Sequence, residues 1–142
     1  VSLRIGVIGT GFAGSTHARA AVGLPGAELT AIAAATIAEA EPLATELGAR
    51  VAPDALSLCA SDHVDLVVVA SPTYLHAEHV IAAAKAGKQV FCEKPIARTL
   101  SDARAMVRAC DDAGVRLAVG HVVRFFPEYR RAKELLDAGA LG

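Results

Sequence analysis

The stretch "IGVIGTGFAGSTHARA", residues 5–20, joins a short apolar run to the start of a helix through three closely spaced glycines. Leu3, Ile5, Val7 and Ile8 form a nearly continuous apolar run, which suits a strand buried on both faces of a parallel sheet. Gly9-Thr10-Gly11-Phe12-Ala13-Gly14 follows with the spacing GxGxxG, and a helix is expected over 12–22. Alone, that spacing also suits a plain strand-to-helix turn with glycines for packing. Directly after a strand and opening a helix, it is the arrangement that holds a dinucleotide. Gly9 permits the tight turn, Gly11 lets the backbone approach a pyrophosphate, and Gly14 lets helix and strand pack closely. The helix N-terminus then offers free N–H groups and its positive dipole end to the phosphates. Gly9, Thr10, Gly11, Phe12, Ala13 and Gly14 are therefore expected cofactor contacts.

The same rhythm continues along the chain. Apolar runs at 3–9, 27–35, 64–70, 88–92 and 115–120 read as buried strands, with helices expected over 12–22, 38–47, 74–86 and 99–113. Gly87 and Gly114 stand where C-terminal caps belong. Ser101 and Asp102 suit a helix start near residue 100. Pro42 is tolerated if its helix begins near Ala40. Alternating strands and helices predict an α/β doubly wound parallel sheet, a Rossmann fold, over residues 1–120. Residues 121–142 depart from the rhythm. "PEYRRAKELLDAGALG" reads as an amphipathic helix with Ala132, Leu135 and Leu136 on its apolar side, an exit segment leading to a second domain absent from this chain.

Composition excludes several classes. Hydrophobic residues make up 54% of the 142, but thirty-one of them are alanines, so no stretch approaches the ~20 consecutive apolar residues that span a bilayer. The start "VSLRIGVIG" shows no signal peptide pattern. A net charge of −1 without a basic block argues against nucleic acid as a partner. Cys59, Cys92 and Cys110 are odd in number and form no CxxC pair, which predicts reduced, buried thiols in a cytoplasmic protein. His76 and His79 stand at i,i+3 on an expected helix, but nothing completes a ligand set, so no metal is expected.

The dinucleotide fingerprint ordinarily continues with an acid about 20 residues on, bound to the adenosine ribose. Here that place is Ala34, between Ala33 and Ala35, with Thr36 close by and no acid until Glu39. Small neutral residues do not repel a 2′-phosphate, so the cofactor is expected to be NADP or NAD with a lean to NADP. The ribose would be held by the backbone at Ala34 and by Thr36.

Taken in order, these motifs resemble the N-terminal half of the glucose–fructose oxidoreductase, inositol dehydrogenase and rhizopine-catabolism (Gfo/Idh/MocA) family. The family pattern GxGxxGxxH is met by Gly9 to Gly14 with His17. "VDLVVVASPTYLHAEHV" (64–80), "AGKQVFCEKPIA" (86–97) and "VGHVVRFFPEYRRAKELLDAGALG" (119–142) match the family's later segments, so the resemblance runs along the whole chain. It implies a dehydrogenase of sugars, cyclitols or related alcohols, whose second α/β domain carries the substrate pocket. It also implies a role for Glu93-Lys94-Pro95, which the strand ending "VFC" delivers to the ligand edge of the sheet. Lys94 would be catalytic, hydrogen-bonding the reacting hydroxyl beside the nicotinamide and favouring the alkoxide as hydride leaves. Glu93 would hold the nicotinamide ribose or Lys94 itself, and Pro95 would fix the turn through a cis bond. The bland counterpart is a surface ion pair, worth ~0–1 kcal/mol.

Ser71, Pro72 and Thr73 are expected to line the cofactor groove, and His76 and His121 to reach the site. His17 is expected to pack under the glycine loop. Expected partners are a polyol or sugar substrate in the full-length enzyme and further copies of the chain in a homo-oligomer. Two rivals stay open: a non-catalytic dinucleotide-sensing module, and an interaction protein with a vestigial fold. A charge placed beside the nicotinamide favours the enzyme.

Overall fold

The computed structural model describes residues 2–140; Val1, Leu141 and Gly142, the ends of the two expected segments, lie outside the described residues. Six strands form one sheet: β1 (Leu3–Ile8), β2 (Ala27–Ala33), β3 (Arg50–Val51), β4 (Leu66–Val69), β5 (Gln89–Glu93) and β6 (Leu117–Gly120). All pair in parallel, in the order β3-β2-β1-β4-β5-β6. The chain winds outward from β1 to β3, returns to β4 beside β1, and winds outward the other way. This is the expected doubly wound α/β fold. Its order reverses between β1 and β4, where ligands of such sheets bind. Ile8 pairs with Ala33 on one side and Val69 on the other, so Gly9, Ala34 and Ala70 emerge together at the carboxyl edge.

Helices α1 (Phe12–Val22) and α2 (Ile37–Leu47) cover one face; α3 (Ala55–Ala60), α4 (His76–Lys85) and α5 (Leu100–Ala113) cover the other. The period-2 alternation of the strands builds a core on each side. Ile5 and Val7 pack towards Ala18, Ala40 and Leu43. Ile8, Val67 and Val69 pack towards Leu58, Val80 and Met106. The alanines give these helices close approach: Ala18, Ala40, Ala83 and Ala84 are fully buried. Gly6 extends the same logic, since a Cβ there would come within 2.7 Å of Leu58. No helix among the described residues is long and apolar enough to cross a membrane.

Several boundaries differ from expectation, each for a local reason. β3 and α3 are additions, giving six strands rather than five. A two-residue strand carries no periodic signal, and α3 announces itself only through Asp54, whose carboxylate accepts the Ser57 N–H at 2.7 Å. Helix α2 begins at Ile37, capped by the Thr36 hydroxyl, so Pro42 lies inside the helix rather than in its first turn. Its missing N–H leaves the Ala38 carbonyl without its helical donor. The cap of α5 is Thr99, whose hydroxyl accepts from Asp102 N–H, rather than Ser101 or Asp102. After β6 the chain makes a 3-10 turn (Val122–Phe125) and a last helix, α6 (Pro127–Asp137). No residue of α6 is buried; Leu135 is half-covered and Leu136 exposed.

Candidate functional site

The glycine loop sits at the switch between β1 and β4. Gly9 takes φ +105°, a backbone that L side chains rarely adopt, and a Cβ there would run into the Ala70 carbonyl. A Cβ on Gly14 would run into the carbonyl of Gly9 itself, so α1 packs directly on the turn. Gly11 differs: nothing lies within 4 Å of an added Cβ. It also stands at the N-terminus of α1, where no side chain caps the first-turn N–H groups. Open space beside uncapped helix donors is what a phosphate needs.

A cleft of about 450 Å³ opens here, lined by Gly9, Thr10, Gly11, Ala34, Ser71 and Pro72 among the expected residues. Phe12 and Ala13 face a second cleft of about 440 Å³ on the other side of the loop, which Glu93 and Lys94 also line. A third, of about 680 Å³, is bounded by Lys94, Pro95, His121 and residues 122–124. The loop thus lies between two clefts, and Lys94 rims both clefts on the β5–β6 side. Gly14 is buried beneath the loop. Thr36, Thr73 and His76 do not line the first cleft. Thr36 spends its hydroxyl on the cap of α2, bonding Glu39 N–H at 3.2 Å. Thr73 opens a 3-10 turn. His76 is buried between the Ser71 carbonyl, 2.8 Å from Nε2, and the Pro95 carbonyl, 3.1 Å from Nδ1. It ties the loop after β4 to the turn after β5.

That turn is ordered by Glu93, and not as an ion pair with its neighbour. Glu93 Oε1 lies 2.8 Å from His17 Nε2, and Oε2 accepts the Lys94 backbone N–H at 2.9 Å. Burial pushes the Glu93 carboxyl up, but the His17 bond and the Lys94 N–H outweigh it and hold the group below its ordinary range. Gly120 leaves room for this carboxylate; a Cβ there would lie 3.1 Å from Oε1. His17, expected only under the loop, also rims the second cleft and packs edge-on against Phe91 at 5.0 Å. The Lys94–Pro95 bond is cis. The Lys94 side chain is exposed, and its ammonium has no hydrogen-bond or ion-pair partner among the described residues.

Glu39 and His79 also line the first cleft, although neither was among the expected cofactor contacts. Glu39, in the first turn of α2, lines the cleft beside Ala34 and Ala35. His79 lines it too, with Nδ1 2.9 Å from the Ser71 hydroxyl. Burial lowers the pKa of His79; Glu78 opposes this and His76 adds to it. An unfolded chain therefore takes up this proton first, so the stability His79 confers is complete above its ordinary pKa of about 6.5 and is lost progressively as pH falls below that value through the lower folded one. Melting temperature is expected to drop between pH 7.5 and 5.5, and to drop less in His79→Asn; equal drops would rule His79 out as the source. The three cysteines are free and buried, and burial pushes Cys59 up to about 11 and Cys92 up to about 12, so both remain thiols at neutral pH.

With this geometry, the chain matches the Gfo/Idh/MocA oxidoreductase family, NAD-binding Rossmann fold, over residues 3–121. It belongs to that family. An uncharacterized oxidoreductase of Streptococcus pneumoniae is 46% identical over 140 residues, covering 99% of this chain and 38% of that protein. Inositol 2-dehydrogenase 3 of Saccharopolyspora erythraea is 42% identical over 144 residues, covering 100% and 43%. The crystal structure of scyllo-inositol dehydrogenase from Lactobacillus casei, with bound NAD(H) and scyllo-inositol, superposes with a TM-score of 0.93 at 30% identity, covering 100% and 43%. The chain thus spans about 40% of the length of such relatives.

Proposed function

We propose that this chain is the dinucleotide-binding part of a dehydrogenase that oxidises a polyol, an inositol or related sugar alcohol, with NAD as cofactor. The observation that carries this reading is the Lys94 ammonium, without a partner among the described residues, at the carboxyl edge of the sheet beside the glycine loop. A module that only sensed dinucleotide would need no free cation there.

The residues fit the cofactor. The backbone of Gly9 to Gly14 would hold the pyrophosphate, and Ala34, Ser71 and Pro72 the adenosine side. Glu93, Lys94 and His121 would flank the nicotinamide side, with Phe12 and Ala13 beneath. Thr36 and Thr73 would act from behind, by setting the start of α2 and the loop after β4, and His76 by joining that loop to the Lys94 turn. When bound, the nicotinamide supplies the hydride acceptor. Lys94 would donate a hydrogen bond to the substrate oxygen and stabilise its alkoxide, while the hydroxyl proton would leave to a base of the proposed substrate domain or to water and the hydride on carbon would pass to the cofactor. Glu93 keeps the Lys94 backbone in place, so little reorganisation is needed when substrate arrives.

Glu39 turns the choice of cofactor from the NADP that Ala34 alone favours towards NAD. A carboxylate on the ribose side of the cleft repels a 2′-phosphate. Glu39→Gln is expected to improve NADP affinity about tenfold, ~1.4 kcal/mol, and to change NAD affinity little. Titrations with both cofactors check this, and an unchanged NADP affinity would remove Glu39 from the ribose site.

We further assign residues 1–120 to the nucleotide domain and 121–142 to a segment that continues into a substrate domain. Val122, Phe125, Phe126 and Tyr129 are exposed along that segment, which supports burial against that domain and assembly into a homo-oligomer. Three unpaired buried thiols fit a reducing, cytoplasmic setting. The test of function is NAD reduction by the full-length enzyme with myo-inositol, scyllo-inositol and aldoses. Turnover of at least one supports the reading; tight NAD binding without any turnover would favour the sensor.

A further inference from the structure

His79 is polar, 93% buried and outside the glycine motif, yet it forms part of the wall of the switch-point cleft. Its Nδ1 shares a 2.9 Å hydrogen bond with the hydroxyl of Ser71, the second residue after β4 and itself half-buried in that wall. The residue is anchored through its backbone: it lies one turn into α4, and its carbonyl accepts from the buried Cys59 thiol at 3.7 Å. Nε2 has no partner among the described residues, so Ser71 is the only side chain among them with which the ring bonds. A serine hydroxyl left alone rotates freely about its C–O bond. Bonded to a fixed, buried imidazole, it keeps one orientation and loses little freedom when a ligand arrives.

We propose that His79 is a positioning residue of the dinucleotide site, fixing the Ser71 hydroxyl so that its oxygen accepts a hydrogen bond from a ribose hydroxyl of the cofactor next to Gly9. This rests on the dinucleotide reading above and adds to it a residue eight positions beyond Ser71. His79 acts through one ring atom, so substitutions separate this role from mere packing. In asparagine the terminal amide stands where Nδ1 stands in histidine; in glutamine it stands where Nε2 does. His79→Asn should keep the bond to Ser71, and His79→Gln and His79→Leu should lose it.

The experiment is calorimetric titration of NAD into the wild-type chain, the three His79 variants, Ser71→Ala, and the double variant Ser71→Ala/His79→Leu. His79→Gln and His79→Leu are expected to weaken NAD binding about five- to tenfold, the scale of one neutral hydrogen bond. His79→Asn should stay within about twofold of wild type, and His79→Leu should add no further loss once Ser71 is alanine. If His79→Leu does not fold, the contrast of asparagine with glutamine decides alone. Equal affinities for those two variants, or a His79→Leu loss as large without the Ser71 hydroxyl as with it, would overturn the proposal while NAD binding by wild type stands. Failure of the wild-type chain to bind NAD would overturn the dinucleotide reading itself, and this proposal with it.

Discussion

Lys94→Ala in the full-length enzyme is expected to lower kcat by ~10²–10³, the usual effect of removing one preorganised donor to a developing oxyanion. Cofactor affinity should fall far less, because the pyrophosphate is assigned to the backbone of the glycine loop rather than to this side chain. Melting temperature should hardly move. The Lys94 ammonium pairs with nothing among the described residues, and it is the backbone N–H of Lys94 that binds Glu93; alanine keeps that N–H. This separates the side chain from the turn it stands on. Glu93→Ala, by contrast, removes the acceptor for that N–H and the partner of His17, and should disturb both the turn and catalysis. Measuring kcat, NAD Kd and Tm on Lys94→Ala checks the assignment. An unchanged kcat with a large fall in stability would make Lys94 a structural residue.

Gly11→Ala is expected to weaken NAD binding by about a hundredfold or more, ~2.7 kcal/mol, in a chain that still folds. Its φ of −66° is ordinary for alanine, and an added Cβ meets no atom within 4 Å beyond its chain neighbours among the described residues. What the Cβ would occupy is the space beside the first turn of α1 assigned to the pyrophosphate. The cost to folding is limited to exchanging a tolerated N-cap residue for a poor one, about 1 kcal/mol or less. Gly14→Ala is the informative contrast, because its Cβ runs into the Gly9 carbonyl and should damage fold and binding together. Titration and melting of both variants check this. A Gly11→Ala chain that binds NAD as wild type does would mean that the pyrophosphate lies elsewhere.

The features legible in the sequence were those that local chemistry decides. β1, the glycine loop and α1 are contiguous, so one 20-residue window contains strand, turn and helix. The central strands were legible because both faces are largely buried and the apolar runs are nearly continuous. β3 was not, because two residues pairing with Ala31 and Ile32 at the sheet edge have no pattern of their own. Glu39 was missed for a geometric reason. Counting along the chain puts the ribose acid at the end of β2, whereas the Thr36 cap starts α2 at once and places its first-turn acid at the same cleft. Glu93 and Lys94 are adjacent in sequence, which suggested a pair. Glu93 is the last residue of β5, however, and its side chain turns towards α1 and His17, leaving Lys94 to the turn. The bond from Ser71 to His79 spans a loop, a 3-10 turn and the start of α4; the spacing of His76 and His79 hinted only at a shared helix face.

The most direct test is the structure of the chain with NAD bound. The pyrophosphate is expected against the Gly9–Gly11 backbone, the adenosine between Ala34 and Ser71 with Glu39 towards its ribose, and the nicotinamide in the cleft rimmed by His17, Glu93 and Lys94. A nicotinamide ring far from Lys94, or a dinucleotide outside the β1–β4 switch, would contradict the assignment of both the cofactor site and the catalytic lysine.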